Sequence, residues 1–390
     1  MSLRVRSIHS VDELRGLATA WNDLCLRSAN ELSTTPLWLL LWWDIFGKED
    51  LRRLHVLAIF DGQRLVGLAP LLVRPALYRR VLPVRRLELL GSGEREADEI
   101  CSDYNGVISE PGYEVPVLDA VVSHLAQQRS WEHLVLHGLD GESPLVPLLE
   151  RALNAAGMPT ERKEVSICPY IPLPKTFDQY LETLTPKRRR FVRKGLRDFE
   201  AWAPDHSFVV AQDAVGLAQG RRVLQQLHGT RWAESGGAGV FVSNKFDAFH
   251  QHLMQELLAR NALQLGWLVG NNRPLAVLYN FVWKGRVYNY QSGRAVDLPN
   301  TIRVGILSHL YAIQHSIALG LEQYDFLAGR QRYKLELSLA SRPLVAIHAW
   351  RKPWLHLGSR AVDESIRLLR AAQKKWRPSS VPVSPDESAD

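Results

Sequence analysis

One stretch of this chain places an acid where strand preferences argue against it. In "LGLEQYDFLAGRQRYKLEL", residues 319–337, a short apolar segment holds Asp325. Beyond a turn at Ala328-Gly329, Arg330, Arg332 and Lys334 alternate with Gln331, Tyr333 and Leu335. An aspartate inside a strand is disfavoured, and burying it without partners is costly. Two arrangements would offset that cost. In a partly dry cleft the carboxylate's pKa rises, which suits a general base that takes a proton from an amine or hydroxyl. Alternatively Arg330, Arg332 or Lys334 neutralises it across the turn, as a hairpin clasp. Read as a strand, the alternation sends these three cations to one face and Tyr333 to the other. The basic face is either solvated or a wall that binds a phosphate or carboxylate of an acceptor, which makes Arg330 and Lys334 substrate-binding candidates.

Other clusters are more open. Lys187, Arg188, Arg189, Arg190, Arg193, Lys194 and Arg197 crowd one segment, "TPKRRRFVRKGLRDFEAW". Its apolar residues are spaced as the packed face of a helix, so the cations point outward, toward solvent or an anionic donor or acceptor. "RWAESGGAGVF", 231–241, reads as a glycine-rich loop edged by Arg231 and Trp232. It is either a closure over an acceptor or a plain connection. No histidine pair has metal-ligand spacing, and no Gly-x-Ser-x-Gly elbow or phosphate-cradling Walker loop occurs. The three cysteines are far apart and fit no metal or redox spacing, so a metal site is not expected.

The elements that must position these residues occur twice. "VLAIFDGQRLVGLAPLLV" (56–73) and "LGWLVGNNRPLAVLYNFV" (265–282) are both hairpins with Asp-Gly or Gly-Asn turn chemistry. "RLELLGSG" (86–93) then matches "RVYNYQSG" (286–293), and a helix and a further strand follow in each half. A helical segment precedes each hairpin, the first capped by Ser10. The pattern predicts a duplicated α+β fold: two mixed, mostly antiparallel sheets flanked by helices. Aligning the copies sets Val135 opposite Asp325, so the second copy alone carries the acid.

The order of elements, with "LTPKRRRFVRKGLRDFE", "CSDYNGVI" and "LGLEQYDFLAGRQRYKLEL", resembles the CelD/BcsL-type acyltransferases. These are tandem GNAT-fold proteins, distantly similar to the Fem aminoacyl transferases. The resemblance spans roughly 5–355 and implies tandem GNAT-like domains, with acyl-CoA, most simply acetyl-CoA, as co-substrate. It further implies that only the later copy parts its sheet to admit the thioester arm, along Tyr290, Gln291, Ser292 and Gly293. The pyrophosphate would lie on the loop and helix start at Asn300, Thr301, Arg303, Val304 and Gly305. In that setting Asp325 is the expected base and Tyr333 the expected proton donor to the departing thiolate. Asp103 and Tyr104, of the "SDY" motif, are expected to line the groove between the halves.

The totals accommodate this. The chain has 390 residues, 46% hydrophobic and 23% charged, with a net charge of +7 that favours anionic partners. Its longest apolar run, "PLWLLLWW", is too short to span a bilayer, and "MSLRVRSIHSVDELRG" lacks the apolar core of a secretory signal, so a cytoplasmic location is expected. The reading is an N-terminal domain over 1–165, a C-terminal domain with the acyl-CoA cleft over 166–376, and a disordered tail over 377–390. The reaction expected is acyl transfer to an amine or hydroxyl of a cell-envelope, polysaccharide or small-metabolite acceptor, with peripheral association with envelope machinery open. Two rivals remain: Fem-like aminoacyl transfer from charged tRNA, and a non-catalytic binding protein of envelope biosynthesis.

Overall fold

The computed structural model describes residues 3–234, 237 and 239–376. The expected tail, and part of the glycine-rich stretch, lie outside the described residues. The first half contributes strands β1 (Arg4–Ile8), β2 (Arg53–Leu54), β3 (Val56–Asp61), β4 (Arg64–Ala69), β5 (Leu71–Tyr78), β6 (Leu82–Leu89), β7 (Ile108–Ser109) and β8 (His133–Asp140). Then come β9 (Thr160–Pro172), β10 (Ser207–Val210), β11 (Leu263–Gly270), β12 (Arg273–Trp283), β13 (Arg286–Arg294), β14 (Gln323–Asp325) and β15 (Ala340–Trp350). Four of them form a sheet ordered β1-β3-β4-β7. The other eleven form one sheet ordered β10-β11-β12-β13-β14-β9-β15-β8-β6-β5-β2.

Both expected hairpins are present, as β3–β4 and β11–β12. Their strands are apolar on both sides because helices cover both faces. In β3, Val56, Ala58 and Phe60 enter one core while Leu57 and Ile59 enter another. In β12, Val277, Tyr279 and Phe281 point one way and Ala276 and Leu278 the other. Ser10 caps the first helix as expected, and Thr185 with Pro186 opens the helix Pro186–Trp202.

The two halves share one fabric. Position 165, the expected boundary, falls inside β9, which bonds β14 on one side and β15 on the other. β15, from the second half, in turn pairs with β8 of the first, from Leu344↔Asp140 to Trp350↔His133. One core joins Trp21, Trp38 and Trp42 to Phe249, Tyr279 and Phe281, with Trp38 edge-on to Phe249 at 5.1 Å.

Two local expectations change. Residues 332–337 form a short helix, Arg332–Leu337, and not a strand, so the cations there do not share a strand face. Arg231 and Trp232 end a 21-residue helix, Ala214–Glu234, that the periodicity had hidden. Gly216, Gly220 and Gly229 lower its intrinsic helix preference. Packing compensates: a Cβ at Gly220 would meet Leu265 Cδ2 at 2.7 Å, so the glycine lets the helix lie close on the sheet.

The β8–β15 seam is sensitive to acid. His133 stacks on Trp350 with 4.1 Å between centroids, and its Nε2 lies 3.2 Å from His348 Nδ1. Burial pushes His133 down to about 3 and His348 down to about 4. Because the unfolded side chains titrate near ~6.5, the unfolded state binds more protons below that pH, and stability falls as pH drops toward those folded values. Thermal unfolding is expected to move to lower temperature between pH 7 and 4. His133→Phe, which keeps the stack but cannot be protonated, should flatten that slope; an unchanged slope would place the acid sensitivity elsewhere.

Candidate functional site

β13 and β14 pair in parallel over only three registers, Arg286↔Gln323, Val287↔Tyr324 and Tyr288↔Asp325. Beyond the last pair β13 runs on to Arg294, while β14 ends. Next to this point β13 carries a bulge: Asn280 pairs with Asn289 and Tyr279 with Gln291, which leaves Tyr290 as the extra residue. A bulge leaves backbone groups out of the ladder and sharpens the local twist.

Asp325 makes the strand stop. Its Oδ1 accepts from the Leu327 N–H at 2.7 Å, turning the chain through Leu327, whose φ is 54°. Its Oδ2 accepts from Tyr104 Oη at 2.8 Å and from Gln323 Nε2 at 3.2 Å, with Arg342 Nη2 at 3.9 Å. The Phe326 N–H then goes to Pro169 O, on the side away from β13. Asp325 is 0% exposed, and burial raises its pKa against the pull of Arg342. In the first copy the equivalent residue is Val135, opposite Glu88 in the same three-residue parallel contact, and β8 continues straight to Asp140.

Parting is therefore not peculiar to the second copy. What differs is the filling. In the first copy the loop after β6 folds back: Asn105 Nδ2 donates to Leu90 O at 2.6 Å, and Ser102 O approaches β8 so closely that a Cβ at Gly138 would lie 3.3 Å from it. In the second copy a cleft of about 440 Å³ remains.

That cleft gathers many of the expected residues: Ser292 and Gly293 of β13, Asn300, Arg303, Val304 and Gly305 at the next helix, and Arg231 and Tyr333 from opposite walls. Arg231 Nη1 donates to Ser292 Oγ at 3.1 Å. The helix Val304–Ala318 begins with no side-chain cap, so its first N–H groups are not taken by the chain's own side chains. Among the described residues, Arg231, Arg294 and Arg303 line the cleft. Gly293 is needed for close approach of the helix Ala214–Glu234, since a Cβ there would stand 2.5 Å from His228 N.

The other expected residues lie elsewhere. Tyr290 Oη donates to Ile100 O at 2.5 Å, inside the core between the halves. Gln291 sits beside His228, and Thr301 is exposed. Trp232 donates to His228 Nε2 at 2.9 Å. Arg330 is exposed and pairs with Glu164 at 2.8 Å, and Arg332 pairs with Glu336 at 2.7 Å. Lys334 is buried and donates to the carbonyls of Phe326, Leu327 and Ala328, holding the turn after Asp325 from below. None of the three cations clasps Asp325; Tyr104 and Arg342 do. Asp103 accepts from the Ala328 N–H at 2.9 Å, so both residues of the "SDY" motif do bridge the halves. Tyr104 also lines a cavity of about 310 Å³ between them, with Glu31, Arg286 and Arg342.

Sequence reasoning missed His309. It lines the cleft, bonds Tyr324 Oη through Nδ1 at 3.0 Å and stacks on Tyr333 at 5.1 Å. Burial pushes it down to about 3, so the ring is neutral. Its position one helical turn beyond Gly305 on an expected phosphate-binding helix was the available signal.

Residues 186–335 match the family described as "Acetyltransferase (GNAT) domain". This stretch has the GNAT fold. Among solved structures, the chain is similar to FemX at 11% identity, with a TM-score of 0.59, covering 92% of this chain and 100% of that one. It is also similar to the C-terminal domain of a protein assigned as a lysylphosphatidylglycerol synthetase from Agrobacterium fabrum (12% identity, TM-score 0.50, 92% and 97% coverage). A tandem GNAT protein from the clavulanic acid biosynthesis pathway matches at 10% identity and a TM-score of 0.45, over 90% and 99% of the two chains. At these identities the shared feature is the fold. No curated protein matches significantly. Among the described residues no cluster could hold a metal ion, and no helix is long and apolar enough to cross a membrane.

The geometry makes Asp325 a turn-former whose loss should be felt in stability first. Asp325→Val leaves the Leu327 N–H and the Tyr104 hydroxyl without their acceptor and takes from Arg342 one of its two neighbouring carboxylates, at a cost of about 3–5 kcal/mol in denaturant unfolding. Asp325→Asn, which keeps an acceptor for the Leu327 N–H, should cost markedly less. Equal losses in the two variants would refute this role.

Proposed function

We propose that the protein is an acyltransferase that carries an acyl group, in the first instance acetyl, from acyl-CoA to an amine or hydroxyl acceptor. The observation that supports this best is the open parting between β13 and β14, which ends in a cleft lined by Arg231, Arg294 and Arg303. That lining fits a polyanionic pyrophosphate, held by the free N–H groups at Val304 and Gly305 and by Arg303. At Gly305 a Cβ would meet nothing nearer than Arg294 Cδ at 3.5 Å, so packing alone does not demand glycine there, and close approach of a ligand gives it a reason.

In this reading the pantetheine arm replaces β14 as the partner of β13 beyond Tyr288. Its thioester comes to the bulge at Tyr290, where backbone outside the ladder can polarise the carbonyl. The acceptor nitrogen or oxygen attacks, the C–S bond breaks, and the sulfur takes a proton from the Tyr333 phenol. Tyr333 regains a proton from the one the acceptor sheds. Burial raises the Tyr333 pKa, which keeps the phenol protonated and suits it to give rather than take a proton. Asp325 serves as a positioning residue, since it opens the strand pair without reaching the cleft. The first half, with its cavity of about 310 Å³, is the part we assign to shaping the acceptor. A cell-envelope, polysaccharide or metabolite acceptor suits this arrangement.

A second reading, aminoacyl transfer from charged tRNA, draws on one feature beyond the likeness to FemX. The helix Pro186–Trp202, rich in outward cations, sets Phe191 against Arg303 of the cleft at 5.3 Å.

Calorimetry with coenzyme A distinguishes these. The expected result is saturable 1:1 binding, weakened about tenfold or more in Arg303→Ala by loss of a charge-assisted contact. Tyr333→Phe should keep coenzyme A affinity but lower kcat about 100-fold in an acyl-CoA acceptor screen. Salt-dependent tRNA binding with none for coenzyme A would favour the second reading. Binding of neither would leave a non-catalytic envelope protein.

A further inference from the structure

The last described helix, Pro353–Trp376, rests on the protein through Leu355, Ser359, Val362 and Asp363. Ser359 is 2% exposed, and Asp363, one turn on, accepts from Tyr78 Oη and from Arg79 Nε, both at 2.7 Å. Trp354, Leu357 and Ala361 follow the spacing i, i+3, i+7 and occupy the opposite side of the helix. All three are exposed, Trp354 and Leu357 each to 66%. A helix packed on a domain normally turns its apolar stripe inward and its charges outward. Here Leu355 and Val362 turn partly inward beside Ser359, but Trp354 and Leu357 lie outside that face, and large apolar side chains left in water need a partner.

The surroundings say what kind. Asp363 ties the helix to the tip of the β5–β6 hairpin, where Leu77 is 55% and Val81 63% exposed and where Arg79 and Arg80 stand. Arg351, Lys352 and Arg360 flank the exposed stripe, and residues 351–376 contain seven Lys or Arg against two Asp or Glu. Lys352, Arg360 and Arg80 have no ion-pair partner among the described residues.

We propose that this helix and the adjoining hairpin tip form a docking surface for an anionic phospholipid membrane. Trp354 and Leu357, with Leu77 and Val81, enter the headgroup–acyl boundary, and the flanking cations meet the lipid phosphates. A cationic polar border around an outward apolar stripe is the signature of a helix lying in a membrane interface. It complements a negatively charged bilayer better than a neutral protein surface. The docking does not depend on the acyl-transfer reading.

The test is co-sedimentation of the full chain with vesicles of phosphatidylcholine alone and of phosphatidylcholine with phosphatidylglycerol, at low and high salt. The expected result is binding to the anionic vesicles that falls with salt, with little binding to the neutral ones. Trp354→Glu/Leu357→Glu should weaken it about tenfold or more, since each side chain loses its apolar burial. Arg80→Ala/Arg360→Ala, which leaves the apolar stripe intact, should lower affinity for anionic vesicles and flatten the salt dependence. Equal binding by wild type and the Glu variant, or no binding to either vesicle, overturns the proposal. So does a dimer in gel filtration that the Glu variant converts to monomer, which would make the stripe a self-interface.

Discussion

Everything in the second half is organised around one carboxylate that ends a strand early. A parallel pair of strands gains backbone hydrogen bonds at each step, and a side chain that competes for the next donor turns the chain out of the pair. Asp325 supplies that competitor by taking the Leu327 N–H, and the chain turns through a left-handed residue. Burying the acid is then sustained by Tyr104 and Gln323 and by the nearby guanidinium of Arg342, itself held between the rings of Tyr104 and Tyr170. The opening at the cleft and the junction between the halves are thus coupled: the residue that opens one closes the other.

That coupling explains why the duplicated sheets are fused rather than joined by a linker. Tyr104 and Asp103 come from the first half, Arg342 from a strand that crosses back to pair with β8, and the 326–328 turn is held by Lys334. Glu31 accepts from Arg286 and Tyr288, and Lys284 binds the carbonyls of Cys25 and Ser28, at the opposite end of β13. A cleft whose walls are fixed at both ends is preorganised, and binding there spends little on ordering the protein. The two parted sheets also show how duplication diverges: the same three-residue contact is retained in both copies, and a returning loop decides which gap stays open.

Charge is distributed to match. Among the described residues the cleft is lined by Arg231, Arg294 and Arg303, whereas the cavity between the halves mixes Glu31, Asp140 and Glu322 with Lys284, Arg286 and Arg342. An anionic ligand is therefore favoured in the first and not in the second. The buried His309 and the half-buried Tyr333 stack in the wall of the cleft, neutral and protonated respectively.

Local pattern in the sequence determined the hairpins, the duplication, the start of the phosphate-side helix and the oddity of Asp325, because these depend on neighbours a few residues apart. Ser292, Gly293, Asn300, Arg303, Val304 and Gly305 were singled out through the family resemblance, and the structure brings them to one cleft. Only the tertiary structure decided what Asp325 does, because its partners lie 221 positions away at Tyr104 and beyond it in the chain at Arg342. It also decided that 332–337 is a helix, that Ala214–Glu234 forms despite its glycines, and that Tyr290 faces the core. Each of these outcomes is set by contacts across the sheet that no local periodicity records, since burial against distant neighbours outweighs the fraction of a kcal/mol by which propensities differ.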